Sequence, residues 1–88
     1  MDYSYLLSQY KMIWNNRQLS SILDDETVLK EAVERELKDE NSHPRIRKNL
    51  FEKYYLATSR ILESRVENKA KLLLIELHAD ILKELRKE

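Results

Sequence analysis

The chain contains no glycine, and Pro44 is its single proline. At the ordinary usage of about 7%, a chain of this length would hold roughly six glycines. Glycine supplies the positive-φ positions of tight hairpin turns, and glycine-rich loops cradle phosphates and dinucleotides. Neither an antiparallel sheet nor a phosphate-binding loop is therefore expected. The composition favours helices joined by short polar segments.

Cysteine is also lacking, which excludes a disulfide framework, a thiolate nucleophile and a zinc finger. Long hydrophobic runs are missing too, because the longest, Leu72–Ile75, falls far short of the roughly 18 residues that span a bilayer. The first residues show neither the basic nor the apolar region of a signal peptide. We therefore expect a cytoplasmic protein that makes no contact with a membrane.

The length of 88 residues and the hydrophobic share of 42% predict a single helical domain over residues 1–88.

The net charge is zero overall, but the charges are unevenly distributed along the chain. Residues 1–43 carry 5 basic and 9 acidic side chains, a net charge of −4. Residues 44–88 carry 11 basic and 7 acidic side chains, a net charge of +4. Either the two halves pack with complementary charge, or the second half presents a basic face to nucleic acid or an acidic partner.

Apolar residues at three- and four-residue spacing predict helices near residues 3–18, 25–40 and 45–86. The predicted fold class is all-α, a small helical bundle with a long C-terminal helix. Asp2 or Ser4 is expected to cap the first helix, acids at residues 24–26 to begin the second, and Ser42 with Pro44 to begin the third.

The C-terminal segment is too long for one straight helix in a compact monomer, because 45 continuous residues would reach about 67 Å. Its apolar residues up to Ile61 lie on one side, and those from Leu62 onward lie nearly opposite. This reversal predicts either a bend near residues 57–62 or a second partner for the far half. We favour intermolecular burial and predict self-association, or association with a related helical subunit, through residues 62–85. The predicted interface comprises Leu62, Val66, Ala70, Leu73, Leu74, Leu77 and Ile81.

No arrangement of residues points to catalysis or to a bound metal. His43 and His78 are far apart, and neither has a second ligand at metal spacing. Carboxylates that share a helix face, such as Glu63 and Glu67, are surrounded by basic residues, which lower carboxylate pKa values and do not suit a general acid. The sequence therefore predicts a non-enzymatic protein without a metal or an organic cofactor.

Basic and aromatic residues alternate after Pro44, in a pattern that could contact phosphates and stack on bases. The candidate nucleic-acid contacts are Arg45, Arg47, Lys48, Lys53 and Arg60. On a helical wheel these side chains spread around the axis, so a solvated helix is the simpler interpretation. Tyrosine and tryptophan also anchor protein interfaces, so any aromatic residue left exposed would mark one. The candidates are Tyr3, Tyr5, Tyr10, Trp14, Tyr54 and Tyr55.

Two segments resemble the helical A domain of archaeal GINS subunits. The first runs from Tyr3 to Trp14 and continues into the Asn-Arg-Gln-Leu stretch at residues 16–19, and the second is the Arg/Lys-rich segment from Arg60 to Leu73. The resemblance implies an isolated A domain, without the small β-rich B domain of that family. It also implies a place in the tetrameric GINS complex, which supports the MCM helicase in DNA replication.

The sequence thus predicts a non-enzymatic protein–protein interaction module that assembles through its C-terminal helix, with replication proteins as expected partners. The alternatives are a small nucleic-acid-binding or regulatory protein that dimerises through the same helix, and a stand-alone helical bundle.

Overall fold

Four α-helices make up the fold of the residues that the structure describes. The computed structural model describes residues 1–15, 19 and 22–87. The helices are α1 (Tyr3–Ile13), α2 (Asp25–Leu37), α3 (Leu50–Glu63) and α4 (Asn68–Arg86), and a short 3-10 turn (Pro44–Ile46) precedes α3. Of the residues described, 73% are helical and none lies in a strand. The prediction of an all-α fold is confirmed.

Three helices begin at a polar side chain that accepts a hydrogen bond from the first turn. Asp2 caps α1 through the Tyr5 amide at 3.0 Å, and Asp24 caps α2 through the Thr27 amide at 2.8 Å. The bond from Thr27 holds the pKa of the Asp24 carboxyl below its usual range. Asn49 caps α3. Each cap satisfies an amide that would otherwise lack a partner, which stabilises these short helices.

α1 and α2 are shorter than predicted. α1 ends at Ile13, and the predicted continuation through residues 16–18 lies outside the described residues. α2 ends at Leu37 because Asp39 adopts a left-handed backbone with φ of 54°. Around Asp39 the Glu40 amide bonds to the Arg35 carbonyl and the Asp39 amide to the Glu36 carbonyl, the pattern that usually has glycine at this position.

The turn that follows α2 is organised by the Asp39 carboxylate. It accepts hydrogen bonds from the Lys48 amide and from the Ser42 hydroxyl, both at 2.9 Å. The expectation that Ser42 caps the next helix is therefore wrong, and the His43 side chain accepts from the Arg45 amide at the start of the 3-10 turn instead. Pro44 stands in the first turn of this 3-10 segment, and the expectation that it begins the third helix is wrong, because α3 begins at Leu50.

The long C-terminal helix predicted over residues 45–86 is two helices. The chain leaves helical geometry at residues 64–67, later than the bend predicted near residues 57–62. The Ser64 hydroxyl and amide both bond to the Ile61 carbonyl, so the side chain competes with the helical pattern. α4 then folds back along α3, and the Lys71 ammonium donates to the Leu62 carbonyl at 2.9 Å. The molecule measures 34 × 29 × 26 Å.

One cluster of buried side chains joins all four helices. α4 packs against each of the other three helices, and α2 also packs against α1 and α3. The buried apolar residues are Leu6, Leu7, Tyr10, Ile13, Trp14, Val28, Leu29, Ala32, Val33, Leu37, Ala57, Ile61, Val66, Ala70, Leu74, Leu77, Ile81 and Leu82. None of the described helices is long and apolar enough to cross a membrane.

Candidate interaction surface

α3 buries one side and exposes an apolar side. Ala57 and Ile61 are buried in the core, while Leu50 and Tyr54 are half-buried against it. On the outer side Phe51 is 56% exposed, Tyr55 68% and Leu62 60%. These three residues lie on one side of the helix because they are four and seven positions apart. We call this set, Phe51, Tyr55 and Leu62, the α3 face.

A groove adjoins the α3 face at Phe51, where the end of α2 meets the start of α3. Its volume is about 680 Å³. Half-buried Leu50 and exposed Phe51 supply its accessible apolar surface, and fully buried Leu37 lies beneath it. The residues that line it are Leu37, Lys38, Glu40, Arg47, Lys48, Asn49, Leu50 and Phe51. The groove extends the exposed apolar surface of Phe51 towards α2.

Basic side chains border this end of the α3 face. The Arg47 guanidinium donates to the carbonyl oxygens of Ser42 and Glu40, at 3.1 and 3.4 Å, so its charge is held in place without being neutralised. The Arg86 guanidinium lies 5.0 Å from the centre of the Phe51 ring, a cation–π distance. Neither Arg47, Lys48 nor Arg86 forms a salt bridge within the described part of the chain.

Most residues of the predicted C-terminal interface lie inside the chain's own core. Val66, Ala70, Leu74, Leu77 and Ile81 are buried, and Leu73 is half-buried against the same cluster. Leu62 alone among the seven is exposed. The reversal of the apolar stripe at Leu62 reflects the turn at residues 64–67, which lets α4 bury its stripe within the same molecule. The premise for intermolecular burial of this stripe is therefore lost, although self-association itself stays a prediction.

The basic residues predicted to contact nucleic acid are dispersed, and three have partners within the chain. The Lys53 ammonium pairs with Glu36 at 3.2 Å and Asp39 at 3.6 Å. Arg60 donates to the Ile13 carbonyl, and Arg47 is bound to the carbonyls named above. Arg45 and Lys48 remain as exposed cations. The structure does not join the five residues into one basic stripe.

The two histidines occupy different environments. His43 is exposed, whereas His78 is fully buried, with Nδ1 2.7 Å from the Leu74 carbonyl oxygen and Nε2 without a partner in the described residues. The His78 ring stacks on Trp14 at 6.0 Å. Burial lowers the His78 pKa, outweighing the Leu74 carbonyl and the Glu36 charge, which act in the opposite direction. No group of three potential metal ligands occurs among the described residues.

Sequence reasoning missed Phe51, which is 56% exposed, as a surface residue. The sequence did offer one signal for this surface, since aromatic side chains that are left exposed mark interfaces. Tyr55 is such a side chain. Phe51 is brought to the same side by the helix that starts at Asn49. The groove could not be predicted, because it depends on how α2 meets α3.

Comparison with known proteins identifies relatives along the whole chain. A family model described as YoyC family matches residues 1–88. The "Uncharacterized protein YoyC" of Bacillus subtilis (strain 168) is 42% identical over 86 residues, which cover 94% of this chain and 91% of that protein. No solved structure matches this chain.

These matches overturn the resemblance to GINS subunits, so the expected link to DNA replication and the MCM helicase loses the observation on which it rested. The segments that carried the resemblance were amphipathic patterns that many helical proteins share. The second one, from Arg60 to Leu73, is not a single helix here, because it is interrupted at residues 64–67. Asn16, Arg17 and Gln18 of the first lie outside the residues that the structure describes.

Proposed function

We propose that this chain, which belongs to the YoyC family, is a non-enzymatic protein–protein interaction module of the cytoplasm. The observation that carries the proposal is the α3 face, where Phe51, Tyr55 and Leu62 are each more than half exposed. A single exposed apolar residue is ordinary on a protein surface, but three on one side of one helix form a patch that another chain can cover.

The α3 face has the composition of a binding surface. Aromatic residues are enriched at the centres of protein interfaces, where a few of them supply most of the binding energy. Complete burial of such a side chain contributes roughly 1.5–3 kcal/mol. Since Phe51, Tyr55 and Leu62 are already partly covered, each would gain about half of that on binding. The free energy from burying three such side chains is partly offset by the entropy that both chains lose on binding. A reversible association is therefore favoured over an obligate one.

The proposed surface replaces the C-terminal stripe predicted from sequence but keeps one of its residues, Leu62. The partner in this proposal is a protein chain, either another copy or a different protein. Nucleic-acid binding is less well supported, because Lys53 is ion-paired with Glu36 and Asp39 and Arg60 is bound to the Ile13 carbonyl. An electrophoretic mobility assay with and without Arg45→Glu and Lys48→Glu tests that alternative directly.

Site-specific photo-cross-linking in cells that naturally produce the protein tests the proposal. Benzoylphenylalanine replaces Tyr55, and the matched control replaces Met12 on α1, which is 65% exposed. We expect the Tyr55 position to give a discrete protein adduct that the Met12 position does not give, and Phe51→Ser to weaken it at least several-fold.

Equal adducts from both positions, or adducts that contain only nucleic acid, would contradict the proposed function. Light scattering of the purified protein separates a second copy from a different partner, since self-association through the α3 face would be sensitive to Tyr55→Asp.

A further inference from the structure

We infer that the partner at the α3 face is an acidic amphipathic helix of another protein. This inference rests on the proposed function and names the partner chemistry that the surface selects. It follows from the shape of the apolar surface and the charges around it.

Helix packing is the mode of recognition that this surface offers. The described residues contain no strand, so a partner has no sheet edge to extend. Phe51 and Leu62 are 11 positions apart, which corresponds to about 17 Å along α3. A partner helix of roughly three to four turns, with apolar residues at the i, i+4 and i+7 positions, matches that length.

The groove next to Phe51 gives the partner helix a fixed place. It has a volume of about 680 Å³, and Leu50 and Phe51 supply its accessible apolar surface. A large apolar side chain at one end of the partner helix would enter here, while the middle of the helix crosses Tyr55. Anchors of this kind dominate the affinity of helix-in-groove complexes.

The charges around the groove select an acidic partner. Arg47 and Lys48 line it, and Arg86 lies over Phe51. Lys38 also lines the groove, but its ammonium is 3.1 Å from Glu34 and its charge is compensated. Glu40 in the lining and exposed Glu52 on the neighbouring side of α3 are the opposing acids. The cations Arg47, Lys48 and Arg86 therefore outnumber the acids at this end, and Asp or Glu along the sides of a bound helix would pair with them.

The same charges disfavour a second copy as the partner. Three cations, Arg47, Lys48 and Arg86, border the α3 face at its Phe51 end. A symmetric dimer through this face would bring two basic surfaces together, and like charges across an interface suppress association. An acidic helix of another protein carries complementary charge.

Two synthetic peptides of equal length and identical apolar positions provide the test. One has glutamate along both sides of its apolar stripe and the other has lysine, and each is titrated with the full chain by fluorescence anisotropy. We expect the acidic peptide to bind at least about tenfold more tightly, and this advantage to shrink in high salt because exposed charges are screened.

Charge reversal locates the binding site. Lys48→Glu with Arg86→Glu should remove the preference for the acidic peptide, whereas the matched reversal Lys11→Glu with Lys83→Glu, at exposed cations elsewhere on the surface, should preserve it. Equal binding of both peptides, tighter binding of the basic one, no binding, or an equal effect of the control reversal would each overturn the inference. A discrete adduct at Tyr55 together with any of these results would leave the interaction surface standing and refute only the acidic partner.

Discussion

The Arg60 guanidinium on α3 donates a 2.9 Å hydrogen bond to the carbonyl oxygen of Ile13, the last residue of α1. The same guanidinium lies 5.3 Å from the centre of the Trp14 ring. The last carbonyls of a helix have no partner within the helix, and a basic side chain can supply one. Arg60 thus caps the C-terminal end of α1, at a residue 47 positions earlier in the chain.

Arg60→Ala should lower the free energy of unfolding by about 1–2 kcal/mol, the range for a charged hydrogen bond and a cation–π contact at a partly exposed site. Urea unfolding followed by the fluorescence of Trp14, the single tryptophan, measures the change. The matched control is Arg65→Ala, an exposed arginine in the turn between α3 and α4, which should change stability by less than about 0.5 kcal/mol. Equal losses in both variants would show that Arg60 does not act through α1.

Stability should decline as the pH falls below about 6.5, the ordinary pKa of histidine, because burial lowers the pKa of His78 in the folded chain. Between the lowered folded pKa and the ordinary unfolded pKa, the unfolded chain binds more protons, so acid favours unfolding. The contribution of His78 is fully present above the unfolded pKa. Its slope cannot exceed about 1.4 kcal/mol per pH unit.

Variants at the two histidines separate this effect from general acid sensitivity. His78→Gln should flatten the pH dependence of the urea midpoint between pH 7.5 and 5.5, although it lowers stability at every pH. His43→Gln, at an exposed histidine, should leave the dependence unchanged. A slope that survives in His78→Gln would mean that another group titrates in this interval.

Asp39→Ala should destabilise the fold more than Asp39→Asn. Alanine removes the acceptor for the Lys48 amide and the Ser42 hydroxyl and also disfavours the left-handed backbone, whereas asparagine tolerates that backbone and keeps one acceptor oxygen.

The hydrogen bond from the Lys48 amide is the main cause that lowers the Asp39 pKa. The stability it adds is therefore present above the ordinary aspartate pKa and is lost as pH falls through the lowered one. Thermal unfolding of both variants, and of wild type in acid, measures these effects.

Leu74→Ala should cost about 2–5 kcal/mol of stability, because Leu74 is fully buried and truncation leaves a cavity. Leu72→Ala, two positions earlier on α4 and 59% exposed, should change stability by about 0.5 kcal/mol or less. Chemical unfolding at several protein concentrations separates a core role from an interface role. A loss in Leu74→Ala that is absent at low protein concentration and grows as the concentration rises would restore the predicted intermolecular burial.

Local signals in the sequence were sufficient to predict the fold class and the first residues of two helices. The lack of glycine and the apolar spacing predicted helices, and Asp2 and Asp24 cap α1 and α2 as polar residues before an apolar stripe should. The end of α2 was missed because aspartate, not glycine, takes the left-handed position at residue 39. In the sequence alone, an aspartate that adopts the left-handed backbone and binds the next turn looks the same as an aspartate on the surface.

The candidate surface depended on information that periodicity does not contain. The change of sides after Ile61 is compatible with a partner molecule or with a turn, and only the packing of α4 onto α3 decides between them. Ser64 was a weak signal for the turn, since serine also occurs within helices. The groove beside Phe51 is formed by residues 37–51, whose positions depend on the contacts of Asp39 and Arg47.

Because α4 follows the turn at residues 64–67, the core also forms in a set order as the chain is synthesised. The ribosome makes α4 after the other three helices, yet α4 packs against each of them. Until its residues emerge, the apolar sides of α1, α2 and α3 that face it have no cover, and a growing chain in that state is prone to aggregate. The local caps at Asp2, Asp24 and Asn49 are available from the start, so single helices can form early. Closure of the core must wait for the last helix.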